Sequence, residues 1–356
     1  MKRILALIMM LLIAVSLCAC DSSDEVENDN LSEVEAVTET EDETAETTTE
    51  TEPKLSRDIP QNLLGYDGEK DAFSANVIGT QEIGKDKIKS ITFLDTLDAA
   101  PADAWDASES QNGSVMAWVD SGYNLFIAGE GGVTAPVSCK GMFKDYYNAE
   151  YINFNNCFYT DLVEDMSSMF ASSDGFRELD LSFFNTSNVR TMREMFSYCT
   201  CLNSVDLSSF DTSKVYDMRA MFQMTSLDSL DVSNFNTSKV TDMHYMFDYC
   251  DEIKVLDLTS FDTSKVTNMK GMFNYCESLE ELDVRSFNTS NVTDMKYMFN
   301  SCKVLPKLDL SKFDFSSVQD AGEMFAYSGK LTDIGCTIEL PAECTAENMY
   351  LHSGLE

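Results

Sequence analysis

Histidine and basic charge are both scarce in this 356-residue chain. His244 and His352 are the only histidines, and 25 Lys and Arg face 61 Asp and Glu for a net charge of −36. So few imidazoles leave little for His-based acid–base or nucleophilic chemistry. A Gly-x-Ser-x-Gly elbow, a phosphate loop and a His-Glu-x-x-His helix are also missing. The expectation is a protein that is not an enzyme, with no cofactor and no resident metal. Carboxylates suited to glycoside hydrolysis are abundant, but abundance along a repeat does not make a cleft. The acidic balance argues against nucleic-acid binding and against adhesion to anionic membranes. Only one long apolar run exists, Ile4 to Leu17, and it is too short to span a bilayer.

That run follows Lys2 and Arg3 and ends at Leu17-Cys18-Ala19-Cys20, the layout of an export signal. The ending resembles the lipobox of bacterial lipoproteins, which implies acylation of Cys20 and loss of residues 1–19. The protein would then sit in the cell envelope, exposed outside the cytoplasmic membrane and held to it by its N-terminal lipid. An ordinary cleaved signal is the alternative. Residues 20–57 read as a tether: Asp21 to Glu52 carries fourteen acidic residues and no basic one, so it repels itself and has nothing to bury.

From Met142 onward one phrase recurs. Met-Phe pairs stand at 142, 169, 195, 221, 246, 272, 298 and 324, separated by 27, 26, 26, 25, 26, 26 and 26 residues. A period in the twenties indicates small units that bury their apolar faces only against one another. Leu282-Asp283-Val284 alternates like a short strand, Asn288-Thr289-Ser290 is turn chemistry, and Val292, Met295, Met298, Phe299 and Cys302 share one face of a helix. The expected fold is therefore an α/β solenoid, a leucine-rich-repeat-like curved stack of short parallel strands and short helices. Strands about 4.8 Å apart against helices about 8–10 Å apart would bend it. A β-rich cap is expected over 58–138, with strands at Ile88–Leu94, Val115–Val119 and Tyr123–Ile127. The repeats would occupy 139–329 and a closing cap 330–356.

Strings such as Leu256-Asp257-Leu258-Thr259-Ser260-Phe261-Asp262-Thr263-Ser264-Lys265-Val266 resemble the BspA-like leucine-rich-repeat surface proteins of bacteria. The preceding Ala104-Trp105-Asp106 and Gly113-Ser114-Val115-Met116-Ala117-Trp118 resemble the segment that often comes before such repeats. The resemblance covers about residues 85–330. It implies an exported protein, attached to the envelope, of a type associated with adhesion to host proteins or other cells.

Repetition turns single residues into rows. Asp180, Asp206, Asp231, Asp257, Asp283 and Asp309 form an acidic row that is either a turn-bonding ladder or a binding site for calcium. Asn185, Asp211, Asn236, Asp262, Asn288 and Asp314 suit turn duty. Arg193, Arg219, His244, Lys270 and Lys296 oppose Asp217, Asp242, Asn268 and Asp294, either as polar contacts between copies or as a stripe for acidic glycans. Cys199, Cys250, Cys276 and Cys302 share a place with Ser173, Thr225 and Ser328, which marks a small buried site; Cys336 and Cys344 are near enough in sequence to pair. Tyr198, Tyr249 and Tyr275, with Tyr245 and Tyr297, are the candidate ligand-binding residues, set against edge packing between copies. The expected partner is an extracellular protein or glycan met by a surface adhesin. An envelope spacer and a glycan- or calcium-binding module are the competing readings.

Overall fold

The computed structural model describes residues 59–66 and 83–356. The expected signal peptide, Cys20 and the tether lie outside the described residues. Those described belong to one compact unit spanning Leu55–Glu356.

The described residues contain eleven short strands and no α-helix. Strands β1 (Ser90–Leu94), β2 (Trp105–Asp106), β3 (Met116–Val119), β4 (Asn124–Ala128) and β6 (Tyr151–Asn153) make one mixed sheet in the order β2-β3-β4-β1-β6. In it β1 runs parallel to β4 and β6, and β3 antiparallel to β4. β6 already belongs to the repeat region, so the N-terminal sheet continues directly into it. Strands β5 (Val133–Thr134) and β7 (Phe158–Tyr159), β8 (Glu178–Asp180) and β9 (Ser204–Asp206), and β10 (Val255–Leu256) and β11 (Glu281–Leu282) form three parallel pairs.

The α/β solenoid expected from the sequence is not formed. The segments with helical spacing are overlapping turns. In the copy around Phe273, Met272, Asn274 and Cys276 donate N–H bonds back three residues, to the carbonyls of Met269, Gly271 and Phe273. The alternate N–H groups, of Met269, Gly271, Phe273 and Tyr275, donate instead to Asp294, Lys296, Met298 and Asn300 of the following copy, at 2.8–3.0 Å. A helix would use all of these donors internally.

Aromatic packing explains the choice. Rings of equivalent Phe residues stack from Phe143 to Phe325 at 5.5–5.8 Å. Neighbouring helices need about 8–10 Å between axes. Copies drawn this close exclude helices, and the strand-against-helix mismatch expected to bend the array has no basis. The same apolar spacing serves both structures, because Val292, Met295, Met298 and Phe299 point inward from successive turns and all are buried.

A continuous strand side is not formed either. Each acidic-row Asp bends the chain by accepting the N–H two residues on, as Asp180 does from Ser182 at 3.1 Å and Asp257 from Thr259 at 3.0 Å. This ends the strands after two or three residues. Leu230-Asp231-Val232 and Leu308-Asp309-Leu310 are not strands at all.

Other backbone pairing runs through the repeat region. Parallel bridges link Ser138, Asp165, Thr191, Asp217, Asp242, Asn268, Asp294, Asp320 and Thr345 in succession. The last link shows that the C-terminal segment repeats the pattern. Tyr350 stacks on Phe325 at 5.7 Å, and Met349 stands where the earlier methionines do. At the other end, Tyr66 donates its hydroxyl to the Lys140 carbonyl and Lys85 Nζ lies 3.3 Å from that of Lys144. These donors meet carbonyls of the first copy that no earlier copy can serve.

Candidate functional site

The tyrosine rows owe their position to unusual backbone. Two residues before and two after each repeat Phe the chain takes positive φ. Tyr245 (56°), Tyr249 (57°), Tyr275 (55°), Tyr297 (60°), Tyr198 (61°) and Tyr327 (60°) all sit there. The left-handed region favours glycine and costs roughly 1–2 kcal/mol for other residues. Glycine takes such a place at Gly271 (58°), where an added Cβ would overlap the Tyr245 ring.

The two tyrosine rows differ in surroundings. Tyr245 lies over Gly271 with Lys270 Nζ 5.6 Å from its ring centre, and Lys296 Nζ stands 5.0 Å from that of Tyr297. Both rings are half-buried against lysine stems. In the row after the Phe, Tyr249 and Tyr275 stack face to face at 4.2 Å, while Tyr198 and Tyr327 are 40% and 44% exposed. Tyr327 also packs on His352.

The acidic row is occupied with turn bonding. Ser182, Ser208, Ser233, Thr259, Arg285 and Ser311 donate N–H bonds to Asp180, Asp206, Asp231, Asp257, Asp283 and Asp309 in turn. The hydroxyls that help come from this same place, Ser182 and Thr259, two residues after the Asp. Ser209 and Ser260 bond main-chain carbonyls of the preceding copy. Arg285 also pairs with Asp283 at 2.7 Å; its hydrogen bonds, side chain first, hold that carboxyl at about 2. Among the described residues, no group of three His, Cys, Asp or Glu is placed to hold a metal ion.

The second Asn/Asp row works alike: Asp262 accepts from the Ser264 N–H and Asn288 from that of Ser290. Members of the basic row bond in several ways. His244 pairs with Asp242 and Arg219 with Asp217 of their own copies, and Lys296 reaches Asp320 of the next at 3.9 Å.

The Cys/Ser/Thr place is more than small. Cys199, Cys250, Cys276 and Cys302 donate S–H bonds to the Phe carbonyl one copy back, at 3.0–3.3 Å, as Ser173 and Ser328 do with hydroxyls. Burial pushes the thiols of Cys199, Cys250 and Cys302 up to about 12. Cys336 and Cys344 are both free thiols.

Two rows escaped the sequence reading. Thr186, Thr212, Thr237, Thr263 and Thr289 are buried, and each hydroxyl donates to a carbonyl of the next copy at 2.9–3.0 Å. Each also accepts the N–H of that same residue, as Thr237 does from Asp262 at 2.8 Å. The signal was present in the recurrent Thr before Ser. The second is a buried polar seam beside the Phe column, where Ser197 donates to Gln223, and Gln223 and Asn274 both donate to Asp248. Burial lifts the Asp248 carboxyl to about 7 against the pull of those amides, and Asn274 Oδ1 has no hydrogen-bond partner.

A family model described as a Mycoplasma protein of unknown function, DUF285, matches residues 137–256 and 246–335, together more than half of the chain. The chain belongs to this family, a bacterial surface-repeat family of unknown function. No curated protein matches the chain.

Proposed function

We propose that the protein is a lipid-anchored, non-catalytic surface adhesin, of the BspA-like kind its repeats resemble, that binds an extracellular protein or glycan through repeated side chains. The observation that carries this reading is the set of six tyrosines held at positive φ. The backbone does not call for tyrosine, since Glu194, Ala220, Met224 and Ser301 hold equivalent places, so the reading rests on what the tyrosine rings do. Part of that is packing between copies, as at Tyr249 and Tyr275. The remaining ring surface offers aromatic contact area at low entropic cost, repeated along one array. Weak contacts of this kind add by avidity when many copies share a cell surface.

The test is binding of the secreted chain to immobilised matrix proteins, mucin and polysaccharides. Glycine accepts the backbone at these places, so Tyr249→Gly with Tyr275→Gly is expected to keep the fold and lower binding at least tenfold. Binding unchanged in that variant, or no binding to any surface, would remove the adhesin reading in favour of an envelope spacer. The anchor is tested separately: palmitate labelling is expected in cells and should vanish with Cys20→Ala.

A further inference from the structure

A groove that the tyrosines do not use lies on the strand side of the later copies. It has a volume of about 980 Å³ and crosses the successive segments at Val255–Asp257, Glu281–Asp283, Lys307–Asp309 and Asp333–Gly335. We propose that this groove binds an extended polypeptide segment in which Lys or Arg alternates with apolar residues. This goes beyond the adhesin reading, since it names a different face and a partner chemistry.

Three observations support it. The first is apolar surface: Val255 is 56% exposed and Leu282 half-buried along the groove, with Leu256 and Leu308 buried in its floor. The second is charge. Asp283 is matched by Arg285, but Asp257, Asp309, Asp333, Glu280 and Glu281 share the groove with a single further cation, Lys307. Asp257 and Asp309 are each held on one oxygen by the turn that follows and keep the other for an incoming donor. The turn residues Thr259 and Ser311, side chain first and then backbone N–H, keep both carboxyls below their ordinary range.

The third is interrupted backbone pairing. The N–H of Glu280 bonds the Lys254 carbonyl at 2.8 Å, joining β11 to β10. One copy later the equivalent residue is Pro306, which has no N–H to give. No backbone hydrogen bond joins Glu281–Asp283 to Lys307–Asp309, and the groove lies across this break. Four copies at about 4.8 Å spacing span about 15 Å, the length of about five extended residues. A compact ligand would leave part of that length empty. A strand-like segment fills it, its apolar side chains toward Val255 and Leu282 and its cations toward the carboxylates.

The experiment measures fluorescence anisotropy of labelled (Lys-Val)4, (Lys-Ser)4 and (Glu-Val)4 peptides with the full secreted chain. Asn keeps the turn bonds of Asp, so Asp257→Asn with Asp309→Asn preserves the fold while removing charge. The expected result is micromolar binding of (Lys-Val)4, at least tenfold weaker in that variant, at least threefold weaker for (Lys-Ser)4, and absent for (Glu-Val)4. The control Asp180→Asn with Asp206→Asn removes equal charge elsewhere in the acidic row and is expected to bind like the parent. Equal loss in both double variants, or equal binding of the two Lys peptides, would reduce the effect to the chain's overall acidity and overturn the proposal. Absence of (Lys-Val)4 binding overturns it as well. Tyr249→Gly with Tyr275→Gly leaves this groove untouched, so the two readings fail independently.

Discussion

At the scale of single residues, Asp248 has the most consequence for stability. Its carboxyl is 4% exposed and faces two amide donors, Gln223 Nε2 at 2.7 Å and Asn274 Nδ2 at 2.8 Å. Burial raises it from 3.8 to about 7, so between those values the folded chain holds a proton that the unfolded chain releases. Its contribution is complete below about pH 4, declines as the pH rises toward 7, and is level above that. In Asp248→Asn, a turned Asn274 amide can accept from the new side chain and satisfy its orphaned Oδ1. The variant is expected to be more stable than the parent at pH 8 by about 1–3 kcal/mol and to lose this part of the pH slope. Urea unfolding at pH 4.5, 6 and 8 measures both, and an unaltered slope would refute the assignment.

The thiols divide just as sharply. Cys199, Cys250, Cys276 and Cys302 are buried with raised pKa values, whereas Cys201 is exposed. Alkylation of the native protein at pH 8, mapped by mass spectrometry, is expected to modify Cys201 first and these four only after unfolding.

At the scale of the repeated element, the threonine clasp holds adjacent copies together more directly than any ion pair. Thr237 and Thr263 each satisfy one N–H and one carbonyl of the next copy while fully enclosed. Thr263→Val keeps the volume and strands both groups, a loss of about 2–4 kcal/mol. Thr263→Ser keeps the bonds and is expected to cost about 1 kcal/mol, chiefly for the lost methyl. Equal midpoint shifts in chemical denaturation would mean that the hydroxyl is not what matters. The row ends where Phe315 replaces Thr, after Thr289 has bonded Asp314.

This element also shows what the sequence made legible. The period, the buried faces and the inward Met and Phe were readable, because apolar spacing reports burial whatever the backbone does. The helix was not, since residues such as Val292, Met295 and Phe299 point inward equally well from a helix or from overlapping turns. Only the 5.5–5.8 Å ring spacing decides between them, and that is a contact between copies. Tyrosine at positive φ hid the turns further, because glycine marks only a few of these places, Gly271 and Gly141 among them. The candidate rows were locatable by counting, whereas the groove depends on Pro306 interrupting a pairing that no single copy displays.

At the scale of the whole molecule, equivalent bonds between successive copies make one unit removable. Deleting Val240–Lys265 joins Lys239 to Val266 and restores the same local Thr-Ser-Lys-Val-Thr string. The Phe222 ring would then meet Phe273, the Thr237 clasp would meet Asn288, and Gln223 would face Asn274 with Asp248 gone. The Gln223 amide, freed of its carboxylate, can donate to the Asn274 Oδ1 that now has no partner. The shortened protein is expected to unfold cooperatively, with a denaturant slope lower by about a tenth because less surface is exposed. Its stability between pH 4 and 7 should lack the decline assigned to Asp248. Deleting half as many residues from the same point would bring turn residues such as Ser260 against the Phe column and is expected to abolish cooperative unfolding. If both deletions behaved alike, the register between copies would not be what holds the array together. The groove across Pro306 would then need another explanation for its shape.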